Sequence, residues 1–179
     1  MKKNLLASLA GIFLSLVVSM AANGQIASIS PKFSSNISPA KTSEAKSATT
    51  IIEASNVNQR AAKDLTKNFK NRSNERWLKV ADGYIAKFNL SDMAHQVAYN
   101  KKGKWVYTIR TYDEWKLPAD VRHMVKSSYY DYNITLVQEI ATPDNPLTYI
   151  VHLEGNTQFI NLKVSDGEME EWQNFTKSK

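Results

Sequence analysis

The chain has 179 residues, 42% of them hydrophobic, with 23 lysines and arginines against 17 aspartates and glutamates and a formal net charge of +6. It contains no cysteine, which excludes disulfides, thiolate metal sites, cysteine nucleophiles and a lipid-modified N-terminal cysteine. The positive balance is mild and no basic stripe with interleaved aromatics stands out, so nucleic acid is not an expected partner.

The first stretch, 1–24, reads as an export signal. Lys2 and Lys3 form a charged start, Leu5 to Val18 an apolar core too short to span a bilayer comfortably, and Ser19 to Gly24 a small-residue end. Cleavage is expected after Gly24, with Ala21 as the alternative, which leaves no membrane span in the mature chain. From 25 to 55 the sequence is rich in Ser, Thr, Ala, Pro and Lys with no sustained apolar period, the composition of a flexible tether.

The folded part is expected over 56–179. Asn56 is a candidate N-cap, and Val57, Ala61, Leu65 and Phe69 fall four apart on one stripe of an amphipathic helix of about four turns. Trp77 to Val80 then suggests a strand closed by an Asp82-Gly83 turn, followed by strands over Tyr84 to Asn89, Met93 to Tyr99 and Trp105 to Tyr112. Leu117 and Pro118 open a second helix carrying Val121, Val125 and Tyr129. Strands follow at Ile134 to Ala141, Leu147 to Glu154 and Thr157 to Ser165, and DGEMEEW reads as a weak last one.

Tyr84 to Tyr99 aligns without a gap on Tyr149 to Val164, and the helices align behind them, Leu65 with Val125 and Phe69 with Tyr129. The order of elements therefore predicts an α+β fold made of two tandem helix-plus-four-strand repeats, 56–115 and 116–179. Together they would form an antiparallel curved sheet with both helices on one face.

The residues carrying this pattern also carry a resemblance. A helix, an aromatic-led strand, YIAKF, a turn glycine followed by an aromatic (Gly103, Trp105), a Leu117-Pro118 helix start and a closing VSDGEM resemble the PepSY-like, β-lactamase-inhibitor-like family of exported Bacteroidota proteins. The resemblance spans Val57 to Trp172. It implies a periplasmic or secreted protein with an open sheet face like that of the β-lactamase inhibitor proteins, and it supplies no catalytic residues.

No reaction chemistry stands out. His95, His123 and His152 sit on different elements without H-x-H or H-E-x-x-H spacing, so neither a metal nor any cofactor is expected. No nucleophile elbow, phosphate loop or dinucleotide fingerprint occurs. The alternation assigns Lys87, Gln96, Thr108, Arg110, His152, Phe159, Asn161, Lys163 and Trp172 to the outward sheet face, a mixture of aromatic, arginine and polar groups suited to a protein partner. The expectation is a non-enzymatic module binding an exported or envelope protein, with inhibition or regulation of an enzyme there as its specific form. The alternative is a small-ligand or glycan binder built around exposed tryptophans, which requires an enclosed pocket.

Overall fold

A computed structural model describes residues 49–178. The expected export signal, 1–24, and most of the expected tether, 25–55, lie outside the described residues. Nine strands and two α-helices follow in order: β1 (Thr50–Ile52), α1 (Gln59–Asn68), β2 (Ser73–Val80), β3 (Gly83–Leu90), β4 (Met93–Asn100), β5 (Trp105–Tyr112), α2 (Ala119–Ser128), β6 (Asn133–Ala141), β7 (Thr148–Glu154), β8 (Gln158–Ser165) and β9 (Glu168–Thr176).

All nine strands form one antiparallel sheet in sequence order, each bonded to the next. This corrects the expected tandem helix-plus-four-strand repeats. The ladder runs unbroken through the middle, where β5 pairs with β6 from Thr108↔Ala141 to Tyr112↔Val137, so the described residues make one nine-stranded sheet with two α-helices. A strand outside either expected unit also joins it. Within the stretch 25–55 read as tether, Thr50, Ile51 and Ile52 pair with Lys79, Leu78 and Trp77. Two β-branched isoleucines beside a strand edge explain that pairing better than the polar composition around them.

The helices begin later than the apolar stripe suggests. Asn58, not Asn56, caps α1, its side chain accepting from the Arg60 N–H at 2.9 Å, while Ala54–Asn56 forms a short 3₁₀ turn. Pro118 occupies the N-cap of α2. Two-residue turns in the left-handed region, Ser91-Asp92 and Asp166-Gly167, close the β3–β4 and β8–β9 hairpins.

Both helices pack on the same sheet face. Ala61 and Leu65 of α1 meet Trp77, Ala86, Phe88, Val97 and Tyr99. Val121 and Val125 of α2 meet Val137, Val151, Leu153, Leu162 and Val164. Between these two apolar clusters, on the same face, the cross-strand row His95↔Arg110↔Glu139↔Tyr149 runs over β4 to β7.

Four ladder irregularities decide which side chains face which way. On β5, Tyr99 opposes Trp105 but Ala98 opposes Tyr107, so Val106 is an extra residue. On β9, Asn161 opposes Gln173 but Leu162 opposes Glu171, so Trp172 is extra. Single extra residues also sit on β2, between Ser73 and Arg76, and on β6, at Thr135. Each bulge reverses the alternation beyond it.

Candidate functional site

The face without helices is the larger candidate surface. The register places Lys87, Gln96, His152, Phe159, Asn161 and Lys163 on it, in agreement with the alternation read from the sequence. Thr108 and Arg110 do not join them. The Val106 bulge turns both to the helix face, where Thr108 is buried and accepts a hydrogen bond from the Trp105 indole at 3.0 Å. Trp172 stands at the bulge of the outer strand β9 and is 56% exposed.

The middle of the open face is packed by its own side chains. Ala98, Ile109 and Ile150 are buried there although no helix among the described residues covers them, and Gln96 donates to the Tyr107 hydroxyl at 3.2 Å across the neighbouring strand. His152 lies beside Gln138, 3.4 Å from its amide oxygen. Burial lowers the His152 pKa below its usual 6.5, while a hydrogen bond with Asn161 opposes that shift.

The β8–β9 end is different. Phe159 and Phe175 are directly opposed across the two strands and are 43% and 52% exposed. Near them Asn161 donates to the Gln173 amide oxygen at 2.8 Å, Lys163 bridges Glu170 at 2.7 Å, and the Lys177 ammonium sits 4.7 Å from the Phe159 ring centre. The charges here are mutually satisfied, while about half of each phenylalanine remains exposed. Phe175 and Gln173 were missed by sequence reading, which ended the last strand at Trp172. The alternation of Gln173, Phe175 and Lys177 was the available signal.

On the helix face, the row between the two apolar clusters is polar, and its Arg110 and Glu139 are paired with each other. Arg110 donates to one Glu139 carboxylate oxygen, and the Tyr112 hydroxyl donates to the other at 2.9 Å. Glu139 is 8% exposed. Burial, followed by the bond to this carboxylate, raises the Tyr112 pKa so that the phenol stays protonated. His95 is buried, stacked on Phe88 with ring centres 5.1 Å apart, and its Nδ1 lies 3.1 Å from the Met93 carbonyl. Burial lowers its pKa below 6.5, against the opposing effect of that backbone bond. Beside this row a cleft of about 330 Å³ is lined by Asp64, Phe69, Trp105, Thr108 and Arg110.

These groups do not assemble a reaction centre. The buried His95 and the half-buried His152 point to opposite faces of the sheet, and each is engaged with backbone or amide groups rather than with a nucleophile. His123 is exposed on α2. Among the described residues no group of three or more His, Asp or Glu is arranged to hold a metal ion. A hollow of about 620 Å³ at the β3–β4 turn is lined by Ser91, Asp92, Thr111 and Asp113 and gathers neither histidine nor Arg110.

No family model matches the chain. No curated protein matches it either. Solved structures do match. A BLIP-like protein of Bacteroides fragilis superposes with a TM-score of 0.58 at 20% identity, covering 69% of this chain and 89% of that one. The chain shares the BLIP-like fold. A protein of Bacteroides eggerthii described as "putative periplasmic" superposes with a TM-score of 0.57 at 17% identity, over 67% of this chain and 90% of that one. A DUF2874 family protein of Bacteroides uniformis gives 0.55 at 13% identity, over 66% and 88%. At these identities the likeness is one of fold. Among the described residues no helix is long and apolar enough to cross a membrane.

Proposed function

We propose that this chain is a periplasmic or secreted, non-enzymatic binding module that engages a folded envelope or secreted protein through the open face of its BLIP-like sheet. The observation that carries the reading is the exposed aromatic pair at the β8–β9 end, where Phe159 and Phe175 oppose each other across the two strands. Exposed rings beside a polar, self-satisfied surround have the composition of a protein-binding hot spot. Fold similarity to a BLIP-like protein supports a binding role, and the strongest form of the reading is that occupation of this face inhibits an exported enzyme. The periplasmic description of the Bacteroides eggerthii structure and the export segment at 1–24 support the compartment. Kinship with the PepSY-like proteins is part of the same proposal.

Capture from envelope extract by crosslinking tests it. The chain is expected to retain a partner, and the double variant Phe159→Ala with Phe175→Ala to lose it at unchanged melting temperature. Retention of every partner by that variant overturns the assignment. Capture of free glycan in place of protein favours the alternative ligand class.

A further inference from the structure

The outer side of α1 has an electrostatic arrangement that folding alone does not favour. Arg60, Lys63 and Lys67 are exposed on its solvent stripe, and its first turn has no acidic residue. The β4–β5 turn adds Lys101, Lys102 and Lys104, all exposed. This turn is tied to the start of the helix. Asn58 donates to the Lys101 carbonyl at 3.2 Å, and Gly103, at φ +71°, lies so close that a β-carbon there would fall 2.9 Å from the Arg60 side chain. Arg60 and the turn lysines thus border the positive pole of the helix, which its macrodipole opposes, whereas Lys67 lies in the last turn, where the macrodipole favours it. None of the six is ion-paired with a described carboxylate; the described bridges involve Arg72, Arg110, Arg122, Lys163 and Lys177 instead. The other helix shows the ordinary arrangement, with Asp120 in its first turn and Arg122 bridged to Glu114 at 2.7 Å.

We propose that the α1 stripe and the β4–β5 turn form a docking surface for an anionic lipid bilayer. Beside Lys63 and Lys67 the helix presents Gln59, Ala62 and Thr66, so the stripe has no aromatic or large apolar anchor of the kind a protein partner uses. A layer of mobile anionic headgroups needs no anchor, and each cation near such a surface adds attraction independently. The surface lies on the helix side of the sheet, so a docked molecule keeps its opposite, open face free for a partner. Lipid docking therefore stands or falls independently of the partner proposal.

Vesicle co-sedimentation of the exported protein tests the assignment. Vesicles of equal phosphatidylglycerol and phosphatidylethanolamine are expected to bind it at about 0.1 M salt and release it at about 1 M, where the screening length falls from about 10 Å to about 3 Å. Phosphatidylcholine vesicles are not expected to bind it. The triple variant Arg60→Gln, Lys63→Gln, Lys67→Gln is expected to lower partitioning by about 100-fold at unchanged melting temperature. The control Arg122→Gln with Lys126→Gln on α2 is expected to stay within about threefold. Equal binding to neutral vesicles, equal loss in the control, or undiminished binding by the triple variant overturns the proposal. So does capture of an acidic protein through these residues without any affinity for vesicles.

Discussion

The two helices lie on the same face of one sheet yet hold it by different chemistry. Under α1, the small Ala61 and the fully buried Leu65 leave room for rings, and the strands supply Trp77, Phe88 and Tyr99. Under α2, the branched Val121 and Val125 meet branched and aliphatic partners, Val137, Val151, Leu153 and Leu162. The aromatic half carries polar atoms into its core and satisfies each locally. The Tyr99 hydroxyl donates to Asp64 at 2.9 Å and the Trp77 indole to Glu75 at 2.7 Å. The α2 cluster buries one such ring, Tyr112, which donates to Glu139 at 2.9 Å, and keeps Tyr129 and Tyr132 at its partly buried margin. Helix side-chain size therefore decides what the strands beneath can carry, and the polar row through Arg110 and Glu139 lies where neither helix fills the face.

Truncation in either half separates these contributions. Phe88→Ala is expected to cost about 4 kcal/mol and Leu162→Ala about 3 kcal/mol in urea unfolding, both in a single transition because β5 and β6 join the halves in one ladder. Two separated transitions would show that the halves fold apart. At the polar row, Arg110→Ala leaves the nearly buried Glu139 carboxylate with only Tyr112. The expected loss is about 2 kcal/mol, below that of a fully buried pair because the Arg110 side chain is 41% exposed. Chemical denaturation of Arg110→Ala beside Arg110→Lys measures it, and no loss in either would remove the row from the account.

Smaller effects refine the aromatic half. Tyr99→Phe removes the bond to Asp64 and is expected to cost about 1 kcal/mol by the same measurement. His95 and His152 have folded-state pKa values lowered below 6.5 by burial, so the unfolded chain binds more protons than the folded one in mildly acidic solution. Their stabilising contribution is complete above about pH 6.5 and is lost as pH falls through the folded values. Melting temperature should decline from about pH 7 to about pH 5, and His95→Gln should flatten the decline. A steeper decline in that variant would reverse the assigned sign.

Most strands and both helices were legible in the sequence because their apolar periods are regular. Trp105–Tyr112 matches the expected strand end for end. What was not legible were single-residue insertions in the ladder. Reading alternation from Trp105 sends Thr108 and Arg110 outward, and only the register shows that Val106 is extra and that both face the helices. Glu139 gave a signal that went unused, a carboxylate inside the apolar run of β6, but its partner could not be found without the β5–β6 register. Strand β1 was hidden because three residues are too few to show a period, and because its pairing depends on an edge far along the chain. Six of the nine expected partner residues reached the open face because Lys87, Gln96, His152, Phe159, Asn161 and Lys163 lie on stretches without an intervening bulge.

Site-specific photocrosslinking tests the open-face account most directly. A photoreactive residue placed at Lys163 on the open face, or at Thr66 on α1, reports which side of the sheet meets another protein in the envelope. The account predicts a discrete protein adduct from position 163 and none from position 66. An adduct from position 66 alone would contradict it.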